Sequence, residues 1–279
     1  MPSAAALRQK IEQALERRFP AALTPAPRTQ PQLAPTGIAD VDELLGGGLP
    51  VGAISEVIGP ECSGRTSLAL AFLGRCTHEG RVCAWVDVED ALDPESAAAN
   101  GVRLKQLLWV RCGEKQRGQK KEGKPWGRLD QALRATDLLL HAGGFSAIVL
   151  DMGGMAAEYA RRIPLATWFR FRQAAQRTRC TLIAIGQRAC AQSSADLVLE
   201  CNLVRASAES QTVLAGFSYE VRRERAREFA DGEQEDRSQR KILPFTPALR
   251  LPDESGTGRR KPPVSTWSAA AAWDREKRA

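Results

Sequence analysis

At 279 residues, 43% of them hydrophobic, the chain is long enough to bury one sizeable core and to carry appendages beside it. Its formal charge of +7, from 40 basic against 33 acidic residues, suits an anionic partner, and seven cysteines without a C-x-x-C pair, beside only two histidines, speak against a zinc site. No apolar run spans a bilayer and the amino terminus lacks a signal-peptide core, so a reduced, cytoplasmic protein is expected.

Residues 4–19 place Leu7, Ile11, Leu15 and Phe19 four apart, which predicts a short helix with one apolar stripe. Five prolines from Pro20 to Pro35 make a linker behind it, so the helix docks either on the core or on a neighbouring subunit. Ile38, Val41, Leu44 and Leu45 then repeat at helical spacing and close at Gly46, Gly47 and Gly48.

The stretch from Ile54 to Ser67 organises the rest. An apolar strand enters a turn of Gly59, Pro60, Glu61, Cys62, Ser63 and Gly64, and Arg65, Thr66 and Ser67 open a helix. Strand, glycine turn and helix in this order make a phosphate loop, because glycines let backbone N–H groups point inward at the positive end of the helix dipole. The lysine that such loops carry after the second glycine is Arg65, whose planar fork meets phosphates differently from a compact ammonium.

Residues 81–89 read as a strand whose far end carries Asp87 and Glu89, where the strands of an open parallel sheet face their ligand. Glu89 is either a general base or a rim carboxylate. A helix over Asp93–Leu104 and a strand over Leu107–Cys112 lead into a glycine-rich loop with six basic residues and Trp126, either a solvated surface or a contact for nucleic-acid phosphates. A helix over Leu129–His141 precedes a buried strand ending at Asp151, the form of a second nucleotide-site strand whose carboxylate holds magnesium. A basic helix over Ile163–Arg179 carries Leu165, Trp168, Phe169 and Phe171, and its aromatics read as core. Thr181–Gln187 makes the next strand, with Gln187 at its carboxyl end. Strands over Asp196–Asn202 and Gly216–Arg225 follow. The chain divides into a helix and linker (1–35), an α/β core (36–230) and a polar, proline-rich tail (231–279) expected to be disordered. Trp267 and Trp273 in that tail flank Ser268–Ala272, which either orders on a partner or does nothing specific.

The segments T-G-I-A-D-V-D-E-L-L-G-G-G-L-P-V-G (36–52), V-I-G-P-E-C-S-G-R-T-S (57–67), A-W-V-D-V-E-D-A-L-D-P (84–94), A-I-V-L-D (147–151) and A-I-G-Q (184–187) together resemble bacterial RecA over Thr36–Arg225. The resemblance implies a RecA-type P-loop ATPase core with a mostly parallel central sheet, binding ATP and Mg2+. It gives Gly59–Ser67 to the phosphates, Thr66 and Asp151 to magnesium, Glu89 to water activation and Gln187 to sensing the γ-phosphate. It also implies that Arg223 and Arg225 reach the nucleotide of an adjacent subunit.

The departures matter as much. The family's adenine-stacking tyrosine is Ser96 here, the segment between Asp151 and Thr181 is short, and only Arg188–Ala195 stands where the long second DNA loop belongs. Strand exchange needs those loops. What remains resembles the ImuA group, RecA-like accessories of inducible (SOS) mutagenesis cassettes that act with error-prone polymerases. Three functions stay open: an accessory module in translesion synthesis, contacting RecA or a cassette polymerase; a DNA-stimulated ATPase that binds single-stranded DNA; and a regulator of RecA filaments acting through residues 4–19. The same helix offers a route to a homo-oligomer. The segment Gln239–Phe245 matches a sliding-clamp peptide too loosely to use.

Overall fold

The computed structural model describes residues 32–113, 125–209, 213–226 and 243–245. The expected helix at 4–19, most of the proline linker, the basic stretch 114–124 and nearly all of the tail lie outside the described residues. In chain order the elements are β1 (Leu33–Ala34), α1 (Ala39–Leu45), β2 (Leu49–Pro50), β3 (Ile54–Ile58), α2 (Arg65–His78), β4 (Cys83–Asp87), α3 (Pro94–Ala99), β5 (Leu107–Arg111) and α4 (Pro125–Ala142). They continue with β6 (Ala147–Asp151), α5 (Ala157–Ala160), α6 (Leu165–Thr178), β7 (Thr181–Gly186), β8 (Leu197–Glu209), β9 (Val213–Ala226) and β10 (Leu243–Phe245).

Strands that are apolar on both faces must be covered on both faces, and such runs belong to parallel sheets. Here β8, β3, β7, β6, β4 and β5 lie side by side and parallel, with β9 and β10 added antiparallel at the β8 edge. Side chains alternate along each strand, so Ala147 and Val149 join the core under α2 with Leu68, Phe72 and Leu73, while Ile148 and Leu150 join the opposite core with Leu129, Leu140, Trp168 and Phe171. Trp168 and Phe171 meet edge to face at 5.9 Å, which places these aromatics in the core as expected. Phe169, by contrast, stays about half exposed (53%).

Several boundaries differ from expectation for local reasons. The helix expected over Asp93–Leu104 stops at Ala99, because Gly101 adopts φ 84 and turns the chain before a short 3-10 turn at Leu104–Gln106. Helix α4 begins at Pro125, since proline suits a first helical position, so Trp126 sits on a helix and not in the basic loop. The strands β8 and β9 run well past β3, which pairs with β8 only as far as Ile58 opposite Glu200. Beyond that point the two strands form a ribbon with two register irregularities, between Leu203 and Arg205 and between Ser207 and Ala208, which break the regular alternation that marks a strand. Leu243–Phe245 is a strand paired antiparallel to β9. No helix among the described residues is long and apolar enough to cross a membrane.

Candidate phosphate-binding site

The site forms where β3 ends and α2 begins. Gly59 takes φ 151, Cys62 φ 58 and Gly64 φ 88, so three of the six linking residues occupy backbone conformations that side chains disfavour. A Cβ on Gly59 would collide with the Cys201 carbonyl of β8 and stand 2.8 Å from Ser63 Oγ. Glycine here is therefore a matter of space as well as of φ. Helix α2 starts without a side-chain cap and without an acidic residue in its first turn, leaving its N–H groups and the positive dipole end, roughly half a charge, for an anion. Ser63 is fully buried and its hydroxyl has no partner among the described residues. An uncapped helix end, a glycine cradle and an orphaned buried hydroxyl fit phosphate oxygens.

Arg65 does not extend into this cradle as a free cation. Its side chain is 7% exposed and crosses beneath the loop to the ends of two strands, where Nη1 donates to the Gly186 carbonyl at 2.6 Å and Nη2 to the Gly153 carbonyl at 3.3 Å. Burial lowers its pKa from the ordinary guanidinium value, and the Asp151 carboxylate is the strongest of the opposing charges.

A cavity of about 340 Å³ opens beside the loop, and Thr66, Glu89, Asp93, Ser96 and Asp151 are among its lining residues. Asp151 ends β6 directly opposite Asp87 of β4, and its Oδ1 accepts the Gly153 N–H at 2.9 Å. Burial, only partly offset by that amide, pushes its pKa up to about 6. Asp87 lines the cavity as expected and also holds the local fold. It accepts from Ala91 N, Leu92 N and the Trp109 indole, and so shapes the turn after β4. The side chain of Arg111 pairs with Asp90 in that turn and stacks over Trp109 at 4.7 Å. Glu89 lies between these anchors, against Gly154, where any Cβ would strike its Oε2. Among the described residues no three His, Cys, Asp or Glu side chains converge on a metal position. Magnesium needs only one or two carboxylates when phosphates and waters complete its shell.

The site residues read from the sequence thus divide. Glu61, Cys62, Arg65, Thr66, Glu89 and Asp151 share one cavity, and Gly59, Pro60, Ser63, Gly64 and Ser67 belong to the turn and helix start that bound it. Gln187 follows Gly186 and is half-buried but does not line the cavity. Arg223 is exposed on β9, and Arg225 bends back to donate to the Gln192 and Ala195 carbonyls of its own chain. Sequence reasoning passed over Glu56. This carboxylate, 1% exposed on β3, accepts Cys190 N at 2.6 Å and Ala191 N at 2.9 Å, fastening the short segment that follows Gln187. Burial, and then the Glu56 charge and hydrogen bond, raise the Cys190 thiol pKa. Asp196, paired with Arg172 at 3.4 Å, holds the segment's far end. An acidic residue inside an apolar strand was the signal available for Glu56.

A family model described as the RecA N-terminal domain matches residues 4–158. Protein RecA of Brucella anthropi is 39% identical over 127 residues, covering 45% of this chain and 31% of that protein. Protein RecA of Ectopseudomonas oleovorans is 40% identical over 117 residues, covering 42% and 30%. The chain thus spans about a third of the length of the curated relatives it matches. The crystal structure of the RadB recombinase superposes with a TM-score of 0.51 at 18% identity, over 76% of this chain and 94% of that one, a likeness of fold.

Proposed function

We propose, from the premise that this chain belongs to the RecA N-terminal domain family, that it is a RecA-like DNA-repair accessory whose phosphate site keeps its shape but no longer hydrolyses nucleotide. In this reading it supports translesion synthesis during a DNA-damage response through protein contacts, to RecA or to a polymerase partner, as the resemblance to the ImuA group suggests. The observation that carries the reading is Arg65: the cation at the lysine position is spent on the Gly186 and Gly153 carbonyls. The bound segment 188–195 supports it from a second side, since strand exchange requires long loops that enter DNA.

ATP with Mg2+, where bound, supplies a phosphoryl group for transfer to water. This chain's residues for it are the Gly59–Ser67 loop for phosphates, Thr66 and Asp151 for the metal, Glu89 to orient water and Gln187 to sense the terminal phosphate. Arg223 is exposed on β9 and would be the one to contact a neighbouring subunit's nucleotide, whereas Arg225 reaches one only by giving up its own carbonyls. A second reading, a DNA-stimulated ATPase, draws on one observation: Glu89 and Asp151 line the same cavity. Turnover measured with and without single-stranded DNA separates the two, beside Arg65→Lys. The accessory reading expects none in the native chain; DNA-stimulated hydrolysis abolished by Glu89→Gln would overturn it.

A further inference from the structure

We propose that the cavity accepts a nucleoside diphosphate in preference to a triphosphate, because the Arg65 guanidinium occupies the ground that a third phosphate and its metal require. The inference rests on the proposed function only in taking hydrolysis as retired.

In a phosphate loop the backbone amides hold the first two phosphates, and the cation after the second glycine addresses the outer ones, with the following hydroxyl on the metal. A lysine ammonium does this as a compact, movable point charge. Arg65 instead lies under the loop with both ends of its fork engaged, one on Gly186, immediately before Gln187, and one on Gly153, two residues beyond Asp151. The guanidinium therefore bridges the strand end that would meet a terminal phosphate and the strand end that would hold its metal. A third phosphate is reached only by drawing Arg65 off two carbonyls at a buried position.

Charge and size act in the same direction. Five carboxylates line the cavity, from Glu61, Asp87, Glu89, Asp93 and Asp151, and among the described residues Arg65 is the one cation in the lining. Every further negative charge on a ligand meets that field. A volume of about 340 Å³ lies at the small end of ligand pockets, roughly 300–1,000 Å³. The inner phosphates still find the uncapped start of α2, the glycine turn and the unpartnered Ser63 hydroxyl.

The test is calorimetric titration of the full chain with ADP and with ATP, each with magnesium, repeated on Arg65→Lys. The native chain is expected to bind ADP at least about tenfold more tightly than ATP, the scale of one charge-assisted hydrogen bond, and the lysine variant to lose or reverse that ratio. Equal or tighter ATP binding by the native chain overturns the proposal, as does binding of neither nucleotide, or a ratio that Arg65→Lys leaves unchanged. Where the variant fails to fold, displacement of a fluorescent ADP from the native chain decides: pyrophosphate should compete better than tripolyphosphate, and the reverse order refutes the idea. Turnover of ATP would sink the retired-site reading by itself, whereas tight ATP binding without turnover sinks only the diphosphate preference.

Discussion

Removing the Glu56 carboxylate should release the segment after Gln187 at a cost that the structure sets. Its Oε1 serves two backbone N–H groups, those of Cys190 at 2.6 Å and Ala191 at 2.9 Å, and these residues are 8% and 0% exposed. In Glu56→Ala both amides lose their acceptor where water does not readily replace it, and each orphaned group costs roughly 1–3 kcal/mol. The shortened side chain also leaves a void on a fully covered strand. The expected loss is about 4 kcal/mol of unfolding free energy, read by urea titration, with amide exchange accelerating at 188–195 ahead of the rest of the sheet. Glu56→Gln keeps an oxygen at the same reach and forfeits only the charge-assisted share, so it should lose about 1–2 kcal/mol. An alanine variant within about 1 kcal/mol of the native chain, or one whose exchange at 188–195 is unchanged, would mean that the segment is held by something else.

Three further outcomes follow from the site. Gly59→Ala should cost about 3–5 kcal/mol, backbone strain at φ 151 adding to the collision with Cys201, while Gly46→Ala, at φ 69 with open space around it, should cost only about 1–2 kcal/mol in the same urea assay. Asp151 holds its proton more tightly folded than unfolded, so stability falls as pH rises from about 4 through 6 and is flat above. A shift from 3.8 to about 6 corresponds to roughly 3 kcal/mol at pH 7, and Asp151→Asn should recover much of it at pH 7–8 and none near pH 4. Cys62 is exposed and the other six cysteines are buried, so a thiol reagent should titrate one cysteine rapidly in the native chain and seven after denaturation. Cys62→Ser should remove the rapid phase, and ADP in the cavity that Cys62 lines should slow it.

The parts legible in the sequence are those whose cause is local. A parallel strand covered on both faces is a continuous apolar run, and β3, β4, β6 and β7 were each placed within about two residues for that reason. The loop was legible because its glycines stand where φ is positive, and Asp151 and Glu89 because carboxyl ends of such strands converge on one crevice. What was not legible has its cause far along the chain. The partners of Arg65 lie 121 and 88 residues away in sequence and those of Glu56 lie 134 and 135 away, and no spacing rule reaches them. Asp87 shows the limit in another way: position placed it correctly at the crevice, but its three donors, from the turn and from Trp109 on β5, are not set by any spacing. The length of the β8–β9 ribbon escaped too, since its register irregularities break the period-2 pattern a strand is read by.

A nucleotide-driven machine needs an element with two positions and a terminal phosphate that favours one of them. Here the candidate element is the stretch from Gly186 to Asp196, and it is tied at both ends and the middle: by Arg65 to Gly186, by Glu56 to Cys190 and Ala191, by Arg225 to Gln192 and Ala195, and by Arg172 to Asp196. The two buried ties alone amount to several kcal/mol. To drive such a stretch from 1:99 to 99:1 a ligand must favour the moved state by roughly 5.5 kcal/mol, and a triphosphate would first have to displace Arg65. Little differential affinity is left for motion once that displacement is made. The same ties that, in the proposal, close the phosphate site to a third phosphate therefore hold the element that would report it, and the proposed accessory role asks for no such motion.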